Sequence, residues 1–178
     1  MYGTSIRLFI AIRFPEPVRR QLAQAAENLE ACARTGRFTR PENLHQTVVF
    51  LGGVPRDRTA EIRRMMDLHR PVRTDIVLEG LGRFPRPGGD IHWVGVRQNP
   101  AVSQYYADLT RALNAAGFAV DCRPYRPHIT LGREVHLYRE PDFTFPPRIV
   151  PVAKISLMQS ARTAGRLVYT PIYETPLP

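Results

Sequence analysis

A chain of 178 residues with 43% hydrophobic and 23% charged residues fits one globular domain and excludes a disordered or fibrous chain. Its 25 Lys and Arg against 16 Asp and Glu leave a net charge of +9, which favours an anionic partner, nucleic acid first. Lys154 is the only lysine, so nearly all the positive charge sits on planar guanidinium groups suited to phosphate. The two cysteines, Cys32 and Cys122, form no C-x-x-C pair, and no histidine spacing describes a metal site, so no metal is expected. The apolar run Leu8 to Ile12 is too short for a signal-peptide core or a membrane span. A cytoplasmic protein without membrane attachment is the expectation.

"IRLFIAIRF" (6–14) is β-rich and apolar and predicts a buried strand, ended by Pro15 and Pro17. Val18, Leu22, Ala25, Leu29 and Cys32 recur at helical spacing, which predicts a helix ending near Gly36. "RFTRPEN" then reads as loop, and "LHQTVVFL" as a strand broken by Gly52, Gly53 and Pro55. A second helix is expected over 56–70, with Asp57 as a candidate N-cap. "TDIVLEGLGRF" and "DIHWVGVR" read as two strands around the turn "PRPGGD". Val102, Tyr105, Leu109, Ala112, Leu113 and Ala116 share one face of a third helix closed by Gly117. "HITLGRE" is the next strand, and two more are expected over 148–160 and 166–174.

The two halves follow one plan: strand, helix, then a strand opening with His-x-Thr. Ile6 to His45 spans 39 positions, and Ile91 to His128 spans 37. Such a duplication would set the two motif strands about a pseudo-twofold axis, with His45 and His128 facing each other across one cleft. On a strand, residues i and i+2 share a face. Thr47 therefore projects with His45, and Thr130 with His128. Two imidazoles and two hydroxyls around one volume suit in-line displacement at phosphorus. A base takes the proton of the attacking oxygen, an acid protonates the leaving oxygen, and hydroxyls hold the non-bridging oxygens. The pseudo-symmetry leaves open which histidine is acid and which is base.

Arg133 lies five residues past His128, on the opposite face under strict alternation, so a role at the cleft requires a bulge, near Gly132. Phe50 and Tyr125 are candidates for base stacking, with core packing the simpler expectation for each. No G-x-x-x-x-G-K-[ST] loop is present, and Lys154 lacks the surroundings of an adenylylated lysine, which argues against nucleotide-driven ligation.

"NLHQTVVFLG" and "RPHITLGR" resemble the paired HxTx motifs of the two-histidine phosphoesterase superfamily, and within it the RNA 2′,3′-cyclic phosphodiesterases, also called 2′-5′ RNA ligases. "RLFIAIRFP", "HWVGV" and "SARTAGRLVYTPI" are similar to other parts of the same family, so the resemblance runs over nearly the whole chain. It implies a bilobal α+β fold, with antiparallel sheets lining a central cleft and helices packed outside, built as one two-lobed domain over residues 1–178. It also implies His45 as proton donor and His128 as proton acceptor, with Thr47, Thr130 and Arg133 on the phosphate and no cofactor. The expected partner is RNA with a 2′,3′-cyclic phosphate end, met by a monomer. A non-catalytic RNA-end binder and a phosphodiesterase of small cyclic nucleotides or metabolites are the alternatives.

Overall fold

The computed structural model describes residues 5–178, in nine strands and three α-helices. β1 (Ser5–Arg13), β3 (His45–Pro55), β8 (Lys154–Thr163) and β9 (Arg166–Pro176) form one sheet in the order β3-β1-β8-β9. β2 (Ala33–Phe38), β4 (Thr74–Phe84), β5 (Asp90–Val96), β6 (His128–Leu137) and β7 (Arg148–Val152) form the other, in the order β2-β6-β5-β4-β7. Every pairing is antiparallel. The α+β fold with two antiparallel sheets is the one expected.

The two sheets match strand for strand. β3-β1-β8-β9 corresponds to β6-β5-β4-β7, and β2 is an addition beside β6. The match is made by exchange. After its motif strand, the first half sends β4 into the second sheet, beside β5. The second half sends β8 and β9 back into the first sheet, beside β1.

α1 (Glu16–Glu30) starts on Pro15, carries Pro17 in its first turn and buries Val18, Leu22, Ala25, Ala26 and Leu29 against β2 and β6. Leu22 is wholly buried, and its truncation to alanine should cost about 2–5 kcal/mol. α2 (Thr59–His69) buries Ile62 and Met66, and α3 (Pro100–Ala115) packs on α2 and β3. Asn99 caps α3, its side chain accepting from the Val102 N–H, and Pro100 occupies the first helical position. At the other end Gly117 has φ +82, its N–H donates to the Asn114 carbonyl, and the Phe118 N–H donates to the Leu113 carbonyl. This Schellman closure needs the left-handed conformation that glycine adopts without a Cβ clash. The main core cluster runs through both sheets and all three helices, and Phe9, Ala11 and Met158 form a smaller one on the other face of the first sheet. No helix among the described residues is long and apolar enough to cross a membrane.

Several boundaries differ from expectation. α1 stops at Glu30, and Cys32 is buried in the turn after it, where its N–H bonds the Leu29 carbonyl. The next residues form β2, an edge strand of mostly exposed side chains, which carries no apolar alternation to read. β3 runs on through Gly52 and Gly53 to Pro55, because Leu8, Arg7 and Ser5 of β1 pair with those positions. A 3-10 turn over Arg56–Arg58 precedes α2, so Asp57 is not its N-cap. The stretch 148–160 holds two strands, not one. β7 and β8 part at Ala153 and join different sheets.

Candidate active site

A cleft of about 670 Å³ opens between the sheets. From β1 and β3 it takes Arg7, Phe9, His45, Thr47 and Phe50; from β6 it takes His128, Thr130 and Arg133. The hairpin β8–β9 closes one side with Ser160, Arg162, Leu167 and Tyr169, while Asn43 and Thr39 complete the wall. The two His-x-Thr pairs predicted to converge do so. Among the described residues, no carboxylate lines the cleft. Among the described residues, no ion pair engages Arg7, Arg133 or Arg162.

Both histidines are held by one device. Nδ1 of His45 lies 2.6 Å from the Asn43 carbonyl, and Nδ1 of His128 lies 2.7 Å from the Arg126 carbonyl, each two residues upstream. A carbonyl only accepts, so Nδ1 carries the hydrogen in both rings, and Nε2 is the nitrogen left for chemistry. His45 Nε2 accepts from the Thr47 hydroxyl at 3.0 Å. Aromatic rings fix the planes: Phe9 and Tyr169 flank His45 at centroid distances of 4.8 and 5.2 Å, and Phe84 meets His128 edge-on at 5.1 Å. Trp93 stands behind His128 at 6.3 Å. Its indole fills the space where a Cβ on Gly82 would lie, 2.1 Å from the ring, so this β4 position is restricted to glycine.

Burial disfavours the imidazolium and pushes His45 from 6.5 down to about 4. The Asn43 carbonyl works against that shift, and the positive fields of Arg133 and His128 add to it. His128 is also lowered, by burial first and by Arg133 next, with the Arg126 carbonyl opposing. Burial and the nearby cations thus favour neutral imidazoles, and the same positive field favours an anion between them.

Arg133 reaches the cleft through a bulge. Trp93 pairs with Thr130 and the preceding residue, His92, with Gly132, so Leu131 is extra on β6. Leu131 and Gly132 are consecutively buried, the phase reverses, and Arg133 returns to the face of Thr130. Its guanidinium lies 3.5 Å from the Thr130 hydroxyl. β3 has the same irregularity: Ala11 pairs with Thr47 and Ile10 with Val49, Val48 and Val49 are both buried, and Phe50 emerges into the cleft.

Tyr125 does not face the cleft. It stacks on Tyr106 at 4.8 Å, accepts from Gln46 Nε2 at 2.7 Å and donates to the Thr47 carbonyl at 3.3 Å, tying the segment before β6 to β3. Sequence reasoning missed Asn43, a buried residue whose amide donates to the Leu167 carbonyl and accepts from the Tyr169 N–H. Its place two residues before His45 was the available signal. Arg7, Arg162 and Tyr169 were also missed, since only the strand exchange brings them to the site.

This fold, with two matched His-x-Thr strands on one cleft, is the one found in known phosphoesterases. The model of the LigT-like phosphoesterase family matches residues 12–91. A Thermotoga maritima protein named RNA 2′,3′-cyclic phosphodiesterase is 31% identical over 180 residues, 95% of this chain and 94% of that one. An Escherichia coli protein of the same name is 29% identical, covering 93% of each. The crystal structure of E. coli LigT complexed with 3′-AMP aligns with a TM-score of 0.83 at 28% identity, covering 97% of this chain and 98% of that one. The chain belongs to the LigT-like RNA 2′,3′-cyclic phosphodiesterase family.

Proposed function

We propose that the chain, acting as one two-lobed domain, opens the 2′,3′-cyclic phosphate end of an RNA and leaves a 2′-phosphate. The observation that carries this reading is the duplicated histidine setting. Two Nε2 atoms, each with its tautomer fixed by an i−2 carbonyl, meet in one carboxylate-free cleft beside two hydroxyls and a guanidinium. His128 takes a proton from water, the water oxygen bonds to phosphorus, the P–O3′ bond breaks, and His45 gives its proton to O3′. Thr47, Thr130 and Arg133 donate to the non-bridging oxygens as charge builds on them.

The cleft's asymmetry supports that direction. O3′ leaves on the side of the ribose, so the acid must lie on the nucleoside's side and the base on the water's side. The β3-β1-β8-β9 sheet supplies Phe9, Phe50, Leu167 and Tyr169, an apolar and aromatic wall for a nucleoside around His45. The other sheet supplies only His128, Thr130 and Arg133, which leaves room for water. With a 5′-hydroxyl in place of water, the same steps form a 2′-5′ linkage. The strained ring drives that joining, and no nucleotide triphosphate is consumed.

The test is incubation with an RNA carrying a 2′,3′-cyclic end, in excess EDTA, with the product phosphate located. A 2′-phosphate formed in EDTA is the expected result. A 3′-phosphate, or turnover only after Mg²⁺ or Zn²⁺ is restored, would overturn the mechanism.

A further inference from the structure

The cleft extends well beyond the space that one phosphate fills. At about 670 Å³ it lies within the range of roughly 300–1,000 Å³ typical of sites for whole organic ligands. Its β3-β1-β8-β9 wall is ordered in rows across the strands. Thr47 pairs with Ala11 beside the histidine, and the next row is Phe50 with Phe9. The row after that is Arg7 with Ser160 and Tyr169, and Arg162 with Leu167 lies beyond it. From Ala11 to Arg7 is four residues, about 13 Å along the strand. A nucleoside spans that gap, whereas a single phosphate does not.

The order of chemistry along the wall is therefore hydroxyl and imidazole, then aromatic, then guanidinium. An RNA end has the same order: terminal phosphate, nucleoside, next phosphate. Arg7 is held in place by the Phe50 ring, its guanidinium carbon 4.9 Å from the centroid. Arg162 sits at the mouth of the β8–β9 turn, which is tightened by Ala164 (φ 48) and Gly165 (φ 76). Both guanidiniums line the cleft, and no ion pair among the described residues engages either. What sets these two apart from the other unpaired guanidiniums is their place on the cleft wall, two rows or more from the histidine.

We propose that Arg7 and Arg162 form a second phosphate subsite, which takes the phosphodiester preceding the terminal nucleoside and makes a dinucleotide end the smallest substrate read in full. This rests on the phosphodiesterase reading and deepens it. Guanidinium forks suit a diester anion, and bonds of this charged kind should change binding about tenfold each.

The experiment compares adenosine 2′,3′-cyclic phosphate with a diadenosine bearing the same cyclic end. The readout is the ratio of their kcat/KM values within each variant, so that any loss of folded enzyme cancels. The wild-type ratio should favour the dinucleotide by about tenfold or more and shrink as salt rises. Arg7→Gln and Arg162→Gln should each pull it towards one, mainly through KM, and Arg162→Lys should keep most of it. A wild-type ratio near one, or variants that retain the wild-type ratio, would overturn the subsite alone. Turnover of neither substrate by the wild-type protein would overturn the phosphodiesterase reading and the subsite with it.

Discussion

Phe50 and Arg133 hold the same place in the two halves. Each lies five residues past its motif histidine, just after a bulge that turns it back into the cleft. The frame is duplicated while the chemistry at this position has diverged, to an aromatic ring on β3 and to a cation on β6.

Arg133 is expected to act on charge that develops at phosphorus. Arg133→Gln keeps a polar donor and removes the guanidinium. Turnover should fall about 10²-fold, with a smaller change in KM, since a donor aimed at the transition state is lost. Steady-state kinetics check this, and an unchanged kcat would remove Arg133 from the mechanism.

The histidines should behave as one unit. His45→Ala or His128→Ala should each cost about 10²–10⁴ in rate, and the double variant should be little worse than the worse single one. A substrate with a p-nitrophenolate leaving group needs no acid. It should partly rescue His45→Ala and leave His128→Ala slow. The reverse pattern would exchange the two roles.

The pH dependence follows from the sign of the shifts. Burial lowers both imidazoles below 6.5, His45 to about 4. The free enzyme at neutral pH therefore holds mostly neutral rings, and the bell of log kcat/KM should centre below 6.5. Bound phosphate favours imidazolium, so the kcat profile should lie at higher pH. The linkage has a stability counterpart: unfolded histidine takes up protons as pH falls from 6.5 towards 4 while folded His45 does not, so stability drops across that window. Inorganic phosphate should raise the Tm more at pH 5.5 than at pH 8, and an equal rise at both would contradict a proton-coupled anion site.

Asn43 is expected to be a positioning residue. Its carbonyl orients His45, and its amide bridges the backbone of β9 at Leu167 and Tyr169. Asn43→Ala leaves two backbone groups without partners, at about 1–3 kcal/mol each. The Tm should fall, kcat should fall about tenfold as the backbone carbonyl that orients His45 loses its side-chain anchor to β9, and the pH limb belonging to His45 should shift while that of His128 stays. A Tm change with unaltered pH limbs would make the residue structural only.

The sequence made the repeated plan legible because the two His-x-Thr strands carry both a chemical mark and the i, i+2 geometry of a strand. It made α3 legible because its apolar stripe and Gly117 agree with each other. β2 escaped because an edge strand with outward side chains has no alternation to detect. The bulges that deliver Phe50 and Arg133 are backbone events, and only the out-of-phase position of Arg133 hinted at one of them. Arg7 and Arg162 lie 155 positions apart, and nothing local links them. Their place on one cleft wall depends on β8 pairing with β1, which is a property of the whole topology.

That exchange binds the two halves as a clasp binds its links. Residues 5–84 hold β1 and β3 but not the β8 and β9 that complete their sheet, and residues 90–178 hold β5 and β6 without the β4 that stands between β5 and β7. Cut in the exposed turn before Asp90, neither piece could bury its open strand edge alone. Each would be one side of an obligate heterodimer, with one motif histidine apiece and no closed cleft until the other side arrives.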